Sequence, residues 1–165
     1  HNTAEWSLWL GRPLLGQWVV DVRRLLDAVR ERDGRLPEEV LVAGIGPAGL
    51  VAVCSAALDS RITSVLTSGM LASYVTDQPY QGQRLGILVP GLLRDAGDVA
   101  QLAALIAPRR IAIGGGVSGS GAAWDAAALE AAFAYTRQAY SLAGTADRFR
   151  IIADADPVRL AEQVR

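Results

Sequence analysis

Histidine is nearly missing from this chain, and so is cysteine. Each occurs once in 165 residues, as His1 and Cys54. A single cysteine excludes an internal disulfide and any cysteine-based metal cluster. Cys54 falls in a stretch read as a helix, where a buried structural thiol is the expected role. With histidine only at the terminus, the chain offers no ready proton shuttle near neutral pH. No apolar run approaches the length needed to span a bilayer. Excess charge of either sign is also lacking: 16 basic and 17 acidic residues leave a formal net charge of -1. No basic stripe stands out, so neither nucleic acid nor a membrane is an expected partner. No metal-ligand set is visible. Asp154 and Asp156 precede Pro157 in the manner of a helix N-cap. The start has neither an initiator methionine nor a signal-peptide pattern, so we expect a processed product or a fragment.

What the chain does have is apolar content, at 51% of residues with a mean hydropathy of +0.23. Such an excess suits a parallel sheet covered on both faces, or a surface buried against another segment. The organising stretch is Val40 to Leu50. β-Branched residues read as a buried strand, then a glycine turn, then a helix start. Gly44, Ile45, Gly46, Pro47, Ala48 and Gly49 are the candidate ligand-binding residues. Two chemistries use such a turn. Gly44-x-Gly46-x-x-Gly49 matches the loop that sets a dinucleotide phosphate on a helix N-terminus. The same strand-turn-helix carries the serine of a Gly-x-Ser-x-Gly nucleophile elbow, and there the central position is Gly46.

Around this stretch we expect an irregular segment over 1–12, with Trp6 and Trp9 as docked anchors. A long helix starts at Pro13 and ends at Gly34. Asp21 reads as a solvated ion-pair member within it. Strand 40–43, helix 49–58 and strand 62–66 follow. A loop over 67–86 carries Met70, Tyr74, Asp77 and Tyr80, and its length suggests function or an interface. The run Ile87-Leu88-Val89 ends at Pro90. Asp98 caps a helix to about Ile106. Then come strand 110–113, a glycine-serine run over 114–121, helix 123–140, strand 149–152 and a helix from Pro157. Strict alternation predicts an α/β fold, a three-layer αβα arrangement with a mostly parallel sheet, in one segment over 1–165.

Gly11-Arg12-Pro13-Leu14-Leu15-Gly16-Gln17 with the helix after it resembles the approach to the nucleophile strand in acetyl xylan esterase-like and dienelactone hydrolase-like α/β-hydrolases. Pro90-Gly91-Leu92-Leu93-Arg94-Asp95 and Leu102 to Arg110 resemble the same family's approach to its next-to-last strand. The resemblance implies the C-terminal half of a larger domain and the last four strands of an eight-stranded sheet. It allows a secreted or periplasmic location. The family's chemistry needs serine at the elbow, an acid after the next-to-last strand and histidine after the last. Gly46 stands in place of the serine, and Ala48 in place of the elbow's next glycine. Gly114 to Ser120 holds no carboxylate, and strand 149–152 is followed by Asp154 but no histidine. Ser68, Ser118 and Ser120 read as turn hydroxyls rather than nucleophiles.

The expected function is therefore that of an esterase-like segment without a working triad, acting in binding, scaffolding or assembly. No cofactor is expected. Its partner is a further chain, or a missing N-terminal half, at the edge of strand 40–43. The alternative is dinucleotide binding, with NAD or FAD, through Gly44-x-Gly46-x-x-Gly49. Against it, the strand that should end in a ribose-binding acid ends in Leu66-Thr67-Ser68.

Overall fold

The computed structural model describes residues 2–153 and 156–163. Helices α1 (Asn2–Trp9) and α2 (Leu14–Asp33) precede β1 (Leu41–Ile45), α3 (Pro47–Leu58) and β2 (Ser64–Ser68). The chain continues through a 3-10 turn at Leu85–Ile87, α4 (Leu92–Asp95) and α5 (Val99–Ala104) to β3 (Arg110–Gly114). Helices α6 (Ala126–Ala132) and α7 (Ala134–Leu142), β4 (Phe149–Ile152) and α8 (Pro157–Gln163) complete it.

The strands form a four-stranded sheet in the order β1-β2-β3-β4, every neighbour parallel. Register sets Val42, Val65 and Ile111 side by side, and Ala43, Leu66 and Ala112 beside them on the opposite face. Right-handed crossovers that always step in one direction place their helices on one face. The main core lies there: Val65, Ile111, Ile113 and Phe149 pack with Leu50 and Val53 of α3, Leu102 of α5 and Tyr140 of α7. Each large side chain removed from water there contributes about 1.5–3 kcal/mol. The other face has a small cluster, Leu66 and Ala112 under Leu160 of α8. That helix follows the last strand and is free to fold back. Nothing among the described residues covers β1 on this side, so Leu41 is 50% and Ile45 62% exposed.

The elements follow from local chemistry. Helix α2 buries Leu15, Val19 and Leu26 at helical spacing and ends at Gly34, with φ 76°, a left-handed cap suited to glycine. Asp98 and Gln101 form a capping box on α5. Asp21 lies 3.9 Å from Arg24 on the solvent face of α2, as expected.

Several boundaries differ. Asn2–Trp9 is helical, not irregular, and Trp6 and Trp9 are 59% and 83% exposed rather than docked. Strands β1 and β2 run further toward their C-terminal ends, because Gly44 and Ile45 still pair with Thr67 and Ser68. The helix expected over 123–140 starts at the Asp125 cap and bends at Phe133, whose buried ring packs near Phe149. Asp154 and His1 lie outside the described residues.

Candidate functional site

In a parallel sheet the loops beyond the C-terminal strand ends gather on one side, where α/β proteins place their sites. Here those loops begin at Gly46, Gly69 and Gly115. Their amides continue the sheet ladder: Gly46 N donates to Ser68 O at 2.7 Å, Gly69 N to Gly114 O at 2.8 Å and Gly115 N to Ile152 O at 2.8 Å.

The chain reverses at Gly46, with φ 56° and ψ -128°. Such a backbone is strained for any residue with a Cβ. It is stabilised from both sides, since Gly46 O accepts from Gly49 N at 2.9 Å. A Cβ built on Gly46 meets no heavy atom within 4 Å, so a side chain there would project into open space. Gly44 is the reverse case: its Cβ would fall 2.3 Å from the Ala48 carbonyl oxygen. On Gly49, a Cβ would lie 2.6 Å from the Met70 Cβ. Close helix–strand approach therefore demands glycine at 44 and 49, whereas only backbone conformation favours it at 46.

Pro47 is the first residue of α3. At an elbow, the amide following the nucleophile helps to bind the oxyanion, and proline has no such amide. The structure thus lacks both the attacking atom and one oxyanion donor at this turn. The signal was present in the sequence, one residue beyond the position tested for serine.

Two loops close over the strand ends. Ala72 N donates to Val117 O, Val117 N to Met70 O, and Gln81 N to Gly119 O, each at 2.9 Å. Asp98 anchors the first loop, taking the Tyr74 amide at 2.8 Å and the Ser73 hydroxyl. Tyr74 Oη donates to Ile87 O at 2.7 Å and Tyr80 Oη to Tyr74 O at 2.6 Å. Met70 is wholly buried, and Asp77 is exposed. The loop's expected candidates therefore divide into packing, pinning and solvent roles.

Cys54 and Tyr74 are both shifted away from the ionised, nucleophilic form. Burial pushes the Cys54 thiol up to about 11 and raises the Tyr74 phenol as well. Ser118 and Ser120 share a 2.8 Å hydrogen bond, and Ser118 Oγ accepts from Ala122 N at 3.2 Å, the turn role expected. Ser68 is buried at the end of β2. Thr67, the other residue where a ribose-binding acid would sit, turns a buried side chain toward α3. Among the described residues no group of three or more His, Cys, Asp or Glu side chains could hold a metal. No helix among them is long and apolar enough to cross a membrane.

A groove of about 1090 Å³ runs beside the turn, lined by Ala43, Ile45, Pro47, Ala48, Trp18 and Leu85 among others. It follows the free edge of β1. Sequence periodicity carried no sign of it, because its walls come from α1, α2, β1, α3 and residues 82–86, which run into the 3-10 turn.

No family model matches the sequence, and no curated protein does. Solved structures do. A candidate acetyl xylan esterase from Bacteroides fragilis superposes with a TM-score of 0.71 at 18% identity, covering 94% of this chain and 41% of that one. A carbohydrate esterase family 15 glucuronoyl esterase from Caldicellulosiruptor kristjansonii gives 0.59 at 20% identity, over 91% of this chain and 48% of that one. The corresponding enzyme from Teredinibacter turnerae gives 0.62 at 18% identity, over 91% and 44%. This chain spans less than half the length of each. It has the α/β-hydrolase-like fold of these carbohydrate esterases, over a part of that fold.

Proposed function

We propose that this chain is a catalytically silent segment of a carboxylic-ester hydrolase-type fold, serving in binding or assembly beside the open edge of β1. Gly46 carries the reading. Its backbone holds the strained reversal at φ 56° and ψ -128°, with space for a side chain that glycine does not supply. Acyl transfer by this type of fold needs a nucleophile, a base that takes its proton and donors for the oxyanion. Gly46 withholds the first and Pro47 one of the last. Neither Gly114 to Ser120 nor the residues after β4 supply the acid–histidine pair. The remaining chemistry at the turn is apolar contact and backbone hydrogen bonding, which suits a groove that receives another segment.

Labelling with a fluorophosphonate tests the reading. We expect no adduct on any serine of the folded chain. An adduct that forms in the folded chain and disappears on denaturation would overturn it. The dinucleotide alternative separates by thermal shift: NAD and FAD should each leave the melting temperature unchanged, and a saturable rise with either would favour that alternative.

A further inference from the structure

The loop after β2 changes character at Tyr74. Before that point it belongs to the main core, where Met70, Leu71, Ala72 and Tyr74 are all buried. At its far end Ile87 is buried again. Between them, none of the described residues 75–86 joins either core cluster. Val75, Arg84 and the run from Asp77 to Gly82 are exposed. The Tyr74 side chain ties the two ends together, its hydroxyl donating to Ile87 O at 2.7 Å, and Tyr80 Oη folds back onto Tyr74 O at 2.6 Å. Compact surface loops with their ends tied in this way are frequently functional.

The segment rests on the turn over 118–121. Gln81 N donates to Gly119 O at 2.9 Å, and Gln83 Nε2 to Ser118 O at 3.4 Å. Thr76 lies so close over Gly119 that a Cβ on that glycine would meet its Cγ2 at 2.9 Å. Ile87 N donates to Arg84 O at 3.1 Å, which starts the 3-10 turn and fixes the far end. A segment held by few bonds and no core contact opens at far lower free energy than the sheet beneath it. It is also a wall: Gly82, Gln83 and Arg84 line the groove beside β1, as Trp18 of α2 does.

We infer that residues 75–84 form a gate, lifting as one unit from the 118–121 turn about the Tyr74–Ile87 tie and widening the groove as they lift. This gate rests on the binding reading above and adds how access to that groove is controlled.

Hydrogen exchange and fluorine NMR of the fluorotryptophan-labelled chain test it together. The Gln81 amide should exchange at least about 100-fold faster than the Ala72 and Val117 amides, which bond to Val117 O and Met70 O beneath the gate. Gly119→Ala is a wedge under Thr76, at a glycine whose φ is not positive. It should speed Gln81 exchange by a further factor of about ten, leave Ala72 and Val117 unchanged, and shift or broaden the Trp18 resonance. Trp6 and Trp9, outside the groove, should not respond. Gln81 exchange as slow as that of Ala72 and Val117, with the same denaturant dependence, overturns the inference. So does faster Gln81 exchange with an unchanged Trp18 resonance, since the segment then moves without gating. If Gly119→Ala speeds exchange throughout the sheet, Tyr80→Phe takes its place, removing only the bond to Tyr74 O; it should give the same two local responses, and their absence is equally fatal. Both readouts use the chain with no occupant. A failed gate therefore leaves the binding reading standing, and a fluorophosphonate adduct that overturns that reading leaves the gate to be measured.

Discussion

Gly46→Ser restores the hydroxyl that acyl transfer needs, and nothing else. Its structural cost can be read from the turn. A Cβ at 46 has no heavy atom within 4 Å, so crowding adds nothing. The penalty is the backbone at φ 56° and ψ -128°, about 1–3 kcal/mol for a residue with a side chain. In a chain of this size that lowers Tm by roughly 2–12 °C. The catalytic gain should be nil. A missing oxyanion donor costs on the order of 10²–10³ in rate, and Pro47 has no amide to give. A missing general base costs roughly 10²–10⁴ more. Together they leave nitrophenyl acetate hydrolysis by the variant at the buffer rate. The assay is a progress curve with and without fluorophosphonate, beside a melting curve. Saturable turnover by the variant, or a label on the introduced serine, would refute the reasoning about Pro47 and the missing base. A melting temperature equal to that of the unaltered chain would refute the strain.

Gly44→Ala should do far more damage, since its Cβ would sit 2.3 Å from the Ala48 oxygen and 2.5 Å from its carbonyl carbon. Backbone atoms cannot step aside, and we expect a loss of about 3 kcal/mol or more in urea unfolding. Arg109 donates to the carbonyls of Ala56, Asp59 and Ile62 at 2.7, 3.0 and 2.8 Å, closing the end of α3. Arg109→Met should lower stability by about 2–4 kcal/mol in the same assay; an unchanged midpoint would show that water replaces those bonds at no cost. The Arg61 guanidinium bonded to Asp59 holds that carboxyl down to about 2. Its folded pKa is below its unfolded one, so its stabilisation is full above about pH 4 and fades as pH falls toward 2. Asp59→Asn should therefore cost about 1–2 kcal/mol at pH 7 and progressively less below pH 4, read from urea midpoints across that range. A deficit independent of pH would assign the loss to packing instead.

Much of the fold was legible because it rests on short-range signals. The Pro13 start and Gly34 stop of α2, the Asp98–Gln101 capping box and the apolar strands are all local patterns. The elbow was legible for the same reason, glycine spacing after a buried strand. The misreadings come from residues whose behaviour is decided elsewhere. Trp6 and Trp9 read as docked aromatic anchors in an irregular polar segment, yet the described residues offer them no cover. Gly44 and Ile45 were assigned to the turn, although pairing with β2 keeps them extended. Phe133 interrupts a helix that has no proline or glycine, because its ring packs against a distant strand. The groove along β1 has no sequence signature at all, as its walls meet only in three dimensions.

Whether the bend at Gly46 is chemically inert is measured most directly by hydrolysis of nitrophenyl acetate by the unaltered chain, followed against substrate concentration and protein concentration. A rate linear in substrate and no greater than that of an equal mass of unrelated protein is the expected result. Saturating kinetics that scale with this protein and vanish after fluorophosphonate treatment would contradict it.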